Sequence, residues 1–577
     1  MSDATQSSAA HPTSSSQSTR PGEPTGQGSE MVLLFHIDLL LLCLLAICIL
    51  LAVPRMLVHL SHKSEWSEGI FLRRYAGDPA RQQESPAQNR SSIFFDRSRS
   101  NQITSQDTSQ AESIEVHPMR NYSRQTLLIQ AQHPPKHVPT LSTVFPGVSR
   151  LLSFTVRPGY TVGKLVLILA YLGLMLYGGL YGSNPFTNPA RAGLVATSQI
   201  PLVIMVATKN NVLTYLLGLG YEKASALTQC INWIHRFVGR FIIFAVNCHA
   251  LGFRTWNEAT TLPPIRLGLL ALTCMDILFL LSISTLRQIC YPVFYASHVV
   301  AAIVMLAAVY KHVPENYGWQ YAVTGMVLYA VDRCWRILQT RVAMANLQLM
   351  PELRVVRLSI PRINGGWRAG QHVRIKVLST GMGLIGWAEP HPFTIASVSK
   401  VEGDGLVLMC KKAGDWTNKL YGLAQHTSDG KVILPLWIVE ARLCTGGPGH
   451  AMVTSYSAAM LVAGGSGVTY MLSTVSELLR KATEGACGVK FIELVWSVQD
   501  PALFTTLLDR AESLWDILES VVNRTLEQPD NKSLDKLTGV MVGVCGPLAL
   551  GEEVANTVRA FPRDKFKSVG GIEVHEE

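Results

Sequence analysis

The sequence is poor in charge. Only 16% of its 577 residues are Asp, Glu, Lys or Arg, and the mean hydropathy is +0.21. An ordinary soluble chain carries about 25% charged residues, so that class is excluded. The chain is still too polar to lie wholly in a membrane, and a membrane part joined to a soluble part is expected. It has no CxxC pair, and its 11 cysteines are scattered, several of them inside apolar stretches. That excludes a disulfide framework and a zinc site. The net charge is +9, but the basic residues are dispersed rather than gathered on one face, so no nucleic-acid partner is expected. No internal repeat is present.

Histidine is scarce where the chain is most apolar. Between Val162 and Gln339 there are four: His235, His249, His298 and His312. They form two pairs with a spacing of 14, one pair on each of two hydrophobic segments. Fourteen residues are close to four helical turns, so both members of a pair lie near one stripe, roughly 21 Å apart. Two such helices side by side present two facing His–His pairs, stacked through a hydrocarbon core about 30 Å thick. Facing imidazoles are what a six-coordinate b-type haem needs, and two haems at two depths form an electron route across a membrane. A single membrane histidine is as well explained by an internal hydrogen bond. Four in matched pairs are not, because ionisable groups in membranes are costly and default to function. Arg236 and Arg240 stand where haem propionates or the membrane edge could take them.

The rest of the chain divides by composition. Residues 1–30, rich in Ser, Thr, Gly, Pro and Gln, read as a disordered tail. Met31 to Val53 is a first transmembrane helix, too long for a signal-peptide core. Residues 54–161 form a polar loop with 13 Lys/Arg against 8 Asp/Glu, a positive-inside signal that puts it in the cytosol. Further spans lie near 162–182, 191–208, 228–252, 265–285, 289–311 and 317–338, about seven in all, so that 162–340 is the haem-binding bundle. Residues 345–450 alternate as short strands with Gly and Pro punctuation, an antiparallel β-barrel. Residues 455–577 read as buried strands separated by helices, an α/β nucleotide-binding unit. With the soluble domains cytosolic, the two histidine-bearing spans run parallel. His235 then shares a depth with His298 nearer the cytosol, and His249 with His312 nearer the outer face.

These residues resemble the fungal ferric and cupric reductases, in the superfamily that also holds the superoxide-making NADPH oxidases. The segments Ile234-His235-Arg236 to His249-Ala250 and Ser297-His298 to His312-Val313 look like the family's two haem helices. Arg191-Ala192-Gly193, with Gln199, Pro201 and Lys209-Asn210-Asn211, is similar to the metalloreductase branch. In the soluble half, Gly370-Gln371-His372-Val373 precedes His391-Pro392-Phe393-Thr394-Ile395-Ala396-Ser397. The resemblance implies that Phe393 and Thr394 hold FAD, that His391 takes a basic role near its phosphates, and that Pro392 and Ser397 belong to the same site. The apolar strand ending in Gly464-Gly465-Ser466-Gly467-Val468-Thr469 has the glycines and helix start that suit a pyrophosphate, although it is not the full GxGxxG fingerprint. With Cys545-Gly546-Pro547 it implies an NADPH site in which Cys545 is catalytic, placing the nicotinamide over the flavin.

Two stretches depart from the family. Val439 to His450 lacks its Gly-Pro-Tyr-Gly turn, and Val574-His575-Glu576-Glu577 is followed by no aromatic residue. Both fall where the resemblance puts flavin contacts. The resemblance implies a ferredoxin-reductase-like module after the transmembrane bundle, with FAD, two haem b groups and NADPH as cofactors. It implies a multi-pass plasma-membrane protein whose carboxyl-terminal domains are cytosolic. Electrons would pass to Fe(III) chelates, siderophores or Cu(II) outside, in company with iron permease and oxidase partners. The alternatives are a superoxide-generating oxidase and a non-redox transporter or sensor with a degenerate soluble domain.

Overall fold

A computed structural model describes residues 26–576, apart from 63–67, 70, 76–132, 140–143, 158–159, 185–187, 209–215, 217–227, 254–261, 314–317, 402, 426–431, 442–451, 498–512 and 528–536. Residues 1–25 of the proposed tail, most of the basic loop and the atypical turn after Ala441 lie outside the described residues; residues 26–30, expected in the tail, begin the first helix. The chain divides into two compact units, one comprising residues up to Ala46 with Leu169–Pro201 and Gly239–Thr324, the other the remainder.

The apolar runs fold as helices because a backbone in lipid must satisfy its own hydrogen bonds. They are α1 (Gly26–Ser61), α2 (Val162–Leu180), α3 (Pro189–Ser198), α4 (Ile200–Ala207), α5 (Thr228–Gly252), α6 (Pro263–Leu281), α7 (Tyr291–His312) and α8 (Trp319–Gln339). Five stretches among the described residues are long and apolar enough to cross a membrane: α1, α2, α3 with α4, α6 and α7. The helices α5 and α8 are of like length, but Arg236, Arg240 and Asn247 in one and Asp332, Arg333 and Arg336 in the other make them more polar. Proline begins α3 and α6, where its missing N–H costs nothing. In the first unit, Leu34 and Ile37 of α1 pack with Met175 and Val195.

The helix α1 is longer than the apolar run that announced it. It passes through Pro54 to Ser61, 36 residues or about 54 Å, well beyond a 30 Å core. Tertiary contacts in the second unit support the added turns. Arg55 pairs with Glu573 at 3.0 Å, and His59 Nε2 lies 3.0 Å from the Arg368 guanidinium. The expected polar loop is likewise partly structured. Gly69 bonds to Gly366 and Arg73 to Gly365 through their backbones, a helix covers Pro146–Ser153, and β1 (Thr155–Arg157) pairs with β2 (Tyr160–Thr161).

The barrel is an antiparallel six-stranded sheet in the order β6-β5-β8-β3-β4-β7. Its strands are β3 (Arg341–Met350), β4 (Val355–Ile360), β5 (His372–Val377), β6 (His391–Thr394), β7 (Leu406–Lys411) and β8 (Val432–Ala441). Alternate residues point inward, among them Ala345 and Leu347, Leu358 and Ile360, and Val373, Ile375 and Val377. Full burial of each large member stabilises by about 1.5–3 kcal/mol. The two edge strands meet through an Ile395–Leu408 bridge and the Ala396 N–H to Val407 carbonyl bond of 2.8 Å, which closes the sheet. The helix α9 (Asp415–Gln425) buries Trp416 and Leu420 in its core.

The last domain is a parallel sheet in the order β10-β9-β11-β12, formed by β9 (Ala458–Gly464), β10 (Phe491–Ser497), β11 (Val540–Cys545) and β12 (Ile572–Glu576). Residues 458–463 of β9 are all buried, as befits a central strand covered on both faces. The helices α10 (Val468–Thr483), α11 (Leu514–Glu527) and α12 (Leu548–Ala560) follow their strands. The chain leaves β9 toward β10 and then crosses to β11 on the other side. The strand order therefore reverses between β9 and β11, and ligands of such sheets bind at the carboxyl ends beside this reversal.

Candidate functional site

His249 lies near the end of α5 and His312 is the last residue of α7. Their rings face each other with centroids 6.2 Å apart and planes at 75°. Two metal–nitrogen bonds of about 2 Å each, with about 1 Å from each nitrogen to its ring centre, give about 6 Å, the ring separation that one metal atom held by both would require.

Hydrogen bonds set the tautomers. Nδ1 of His249 donates to the Pro189 carbonyl at 2.8 Å, and Nδ1 of His312 to the Pro264 carbonyl at 2.7 Å. In the second unit, Nδ1 of His235 donates to the Val203 carbonyl at 3.0 Å. Nδ1 of His298 lies 3.3 Å from the Ser282 hydroxyl, whose own proton goes to the Leu278 carbonyl at 2.5 Å, so here too the histidine donates. In all four the bonded Nδ1–H puts the ring's lone pair on Nε2, an arrangement that metal-binding histidines commonly use.

Two helix glycines make room for the His249–His312 pair. A β-carbon on Gly193 would come within 2.7 Å of His249 Nδ1, and one on Gly268 within 2.6 Å of His312 Cε1. Arg191 is buried, and its Nε donates at 2.9 Å to the carbonyl of Gly178 in the last turn of α2, where a cation offsets the helix dipole. Gln199, also buried, accepts from Tyr171 at 3.0 Å. Arg236 and Arg240 are exposed on α5. His235 belongs to the second unit and His298 to the first.

On the barrel, β6 presents the expected flavin residues at the sheet edge. His391, Phe393 and Thr394 are half-buried and Pro392 is exposed, and Phe393 packs against the barrel core. The His391 ring stacks on Trp416 at 4.3 Å, with Nε2 3.3 Å from Glu389, and Phe393 lies 5.9 Å from the same indole. The Ser397 hydroxyl oxygen accepts from the Val407 N–H at 3.0 Å and its carbonyl from Trp367 at 2.8 Å. Ser397 thus ties the barrel together, with its hydroxyl proton still available to a ligand.

The Gly464–Gly467 turn and the Cys545–Pro547 turn lie back to back at the strand reversal. A β-carbon on Gly467 would come within 2.1 Å of the Cys545 carbonyl oxygen, and one on Gly464 within 2.7 Å of Pro547 Cδ. Gly465 has φ +54, a left-handed conformation that favours glycine. Ser466 is exposed, and its carbonyl accepts from the buried Thr469 hydroxyl at 3.1 Å. Val468 opens α10, whose first free N–H groups favour an anion. The structure brings Gly464 to Thr469 and Cys545 to Pro547 together, the glycines letting the two turns pack, while a Cβ on Gly465 would meet nothing within 4 Å, so the turn's backbone is open there. The barrel meets α10 through the Ala369 N–H to Glu477 and the Gly370 N–H to the Ser473 hydroxyl.

Sequence reasoning missed four contributors: Gly268, Ser282, Trp416 and Trp496, whose indole N–H donates to the Gly465 carbonyl at 3.1 Å. A glycine or serine one helix away from a histidine has no local signature. Trp496 could have been suspected from its place at the end of a predicted strand beside the glycine turn.

Residues 192–309 match the family described as "Ferric reductase like transmembrane component", 339–453 a "FAD-binding domain" and 456–526 a "Ferric reductase NAD binding domain". The chain is therefore a membrane-spanning component followed by FAD- and NAD-binding domains. Two of the three, the membrane component and the NAD-binding domain, are matches to ferric reductase families, in line with the resemblance of its motifs. Similar proteins include "Ferric reductase transmembrane component 6" of Saccharomyces cerevisiae, 24% identical over 60% of this chain and 48% of its own length. "Ferric/cupric reductase transmembrane component 2" of the same yeast is 25% identical over 60% of this chain and 50% of its own. "Probable cell surface ferric reductase kap2" of Aspergillus oryzae is 24% identical over 56% and 44%. The chain spans about half the length of the curated relatives it matches.

Proposed function

We propose that this protein is a plasma-membrane metalloreductase that passes electrons from cytosolic NADPH to Fe(III) chelates or Cu(II) at the outer face. The observation that carries the reading is the facing pair His249 and His312, each with Nδ1 committed to a carbonyl and Nε2 left to bind iron. His235 and His298, with the same Nδ1 commitment, would hold a second b-type haem nearer the cytosol. The bound cofactors supply the electron chemistry that side chains lack, FAD converting a two-electron donor into single electrons and haem relaying them.

The chain's own residues bind and orient. Gly464 to Thr469 and the start of α10 would receive the NADPH pyrophosphate, and Cys545, with Gly546 and Pro547, would lie against the nicotinamide. Phe393, Thr394 and Ser397 would hold the flavin, with Trp416 fixing the His391 ring. The cytosolic placement of these domains is supported by the 13 to 8 basic excess of residues 54–161. Reduced metal would pass to permease and oxidase partners of an uptake system.

The test is the optical spectrum of the purified protein under anaerobic NADPH. A reduced b-type haem spectrum is expected, followed by reoxidation with an Fe(III) chelate. Absence of haem reduction would refute the electron route. Ferric reduction abolished by superoxide dismutase would name oxygen as the acceptor instead.

A further inference from the structure

Helix α6 touches both members of the α7 histidine pair. Gly268 packs against the His312 ring, and Ser282, just past the end of the helix, is bonded to His298. Between these contacts α6 carries a carboxylate, Asp276. It stands eight residues after Gly268 and six before Ser282, about 12 Å and 9 Å along the axis, so its depth lies between the two histidine levels. It is half-buried in a span whose one other charged residue, Arg266, lies in the first turn, and where α6 packs small residues such as Ala271 and Cys274.

Asp276 has a polar partner. Its Oδ1 accepts from the Asn247 side-chain amide at 3.3 Å, and that amide also donates to the Ile243 carbonyl at 2.9 Å. Among the described residues no lysine, arginine or histidine forms an ion pair with it. Holding α5 to α6 needs a hydrogen-bond acceptor only, which an asparagine would supply without the cost of a charge in lipid. An intramembrane carboxylate therefore calls for a use of its charge.

We propose that Asp276 sets the reduction potentials of the two haem sites by holding a negative charge between them. The inference rests on the haem reading above. One electron entering either site lowers that site's net charge by one, with no bond made or broken at Asp276. A nearby carboxylate stabilises the more positive, oxidised state and so lowers the potential of both sites. By standing between them it lowers both in the same direction, which preserves the difference that drives electrons outward. A unit charge on the order of 10 Å away, in an effective dielectric of about 20, corresponds to roughly a tenfold change in a one-electron equilibrium. That is about 59 mV.

The experiment is a spectroelectrochemical titration of the purified full-length protein, unaltered and with Asp276→Asn, Asp276→Ser and Asp276→Glu. Both midpoint potentials are expected to rise by about that amount in the Asn and Ser variants and to stay near the original values in the Glu variant. Retained haem with unmoved potentials in the neutral variants overturns the inference while leaving the haem reading intact. Loss of haem from both neutral variants also overturns it, because a tuning charge is dispensable for folding. An unaltered protein that binds no haem instead refutes the reading on which the inference rests.

Discussion

Gly193 lies against the imidazole of His249 with no room for a methyl group between them, and the first residue of its helix, Pro189, accepts that imidazole's proton. One short helix thus sets both the space around a ligand and its tautomer. Gly193→Ala is expected to displace the His249 ring at a cost of about 1–3 kcal/mol, the usual range for overpacking. Haem quantification should show the outer site lost or weakened roughly tenfold while the inner site persists. Gly268→Ala should do the same through His312.

The two levels are separable by mutation. His249→Ala and His312→Ala are expected to remove the outer haem alone, and His298→Ala and His235→Ala the inner. Haem-to-protein ratios with reduced-minus-oxidised spectra check this. An unchanged haem content in both His249→Ala and His298→Ala would sink the ligand assignment.

At the nucleotide turn, Gly467→Ala must push a methyl group onto the Cys545 carbonyl, an atom of the backbone that cannot swing away. NADPH binding should weaken at least tenfold, read by isothermal titration or by haem reduction with NADPH. Reduction of the haems by dithionite should be unaffected, since the membrane residues are untouched.

The end of α1 is fastened to the nucleotide-binding domain. Glu573 is 5% exposed and takes Arg55 at 3.0 Å and the Tyr456 hydroxyl at 2.6 Å. Burial and the Glu573 charge hold Tyr456 well above its usual range, so that it stays a donor. Arg55→Ala leaves the buried carboxylate short of its cation and should cost about 1–3 kcal/mol. A lower Tm is expected by scanning fluorimetry, with Arg55→Lys intermediate.

His137 closes the same cluster, its ring 4.7 Å from Tyr456 and its Nδ1 3.2 Å from the Ser455 hydroxyl. Burial lowers its pKa from 6.5, with Arg55 acting the same way and Glu573 opposing both. The unfolded chain therefore takes up the proton first as pH falls. The stability His137 contributes is present above pH 6.5 and is lost progressively below it. Melting curves at pH 7.5 and 5.5 should show this difference reduced in His137→Phe.

Much of this protein was legible because its chemistry repeats at intervals a helix or strand imposes. Apolar length marked the spans, the 14-residue spacing of His235 and His249 and of His298 and His312 marked the candidate ligands, and the glycine turn after β9 marked the candidate nucleotide site. These are local properties, carried by the 3.6- and 2-residue periods of the backbone. What lay across space was not legible. That α1 continues past Pro54 depends on Glu573, more than 500 residues away in sequence. That His391 stacks on Trp416, that Gly193 and Gly268 clear two imidazoles, and that Asp276 stands between the histidine levels depend on which helices and strands become neighbours. The sequence alone determined which groups could bind iron and nucleotide. Only the tertiary structure decided which Nδ1 atoms are committed, and so which nitrogens remain as ligands, because that depends on carbonyl and hydroxyl oxygens from other segments.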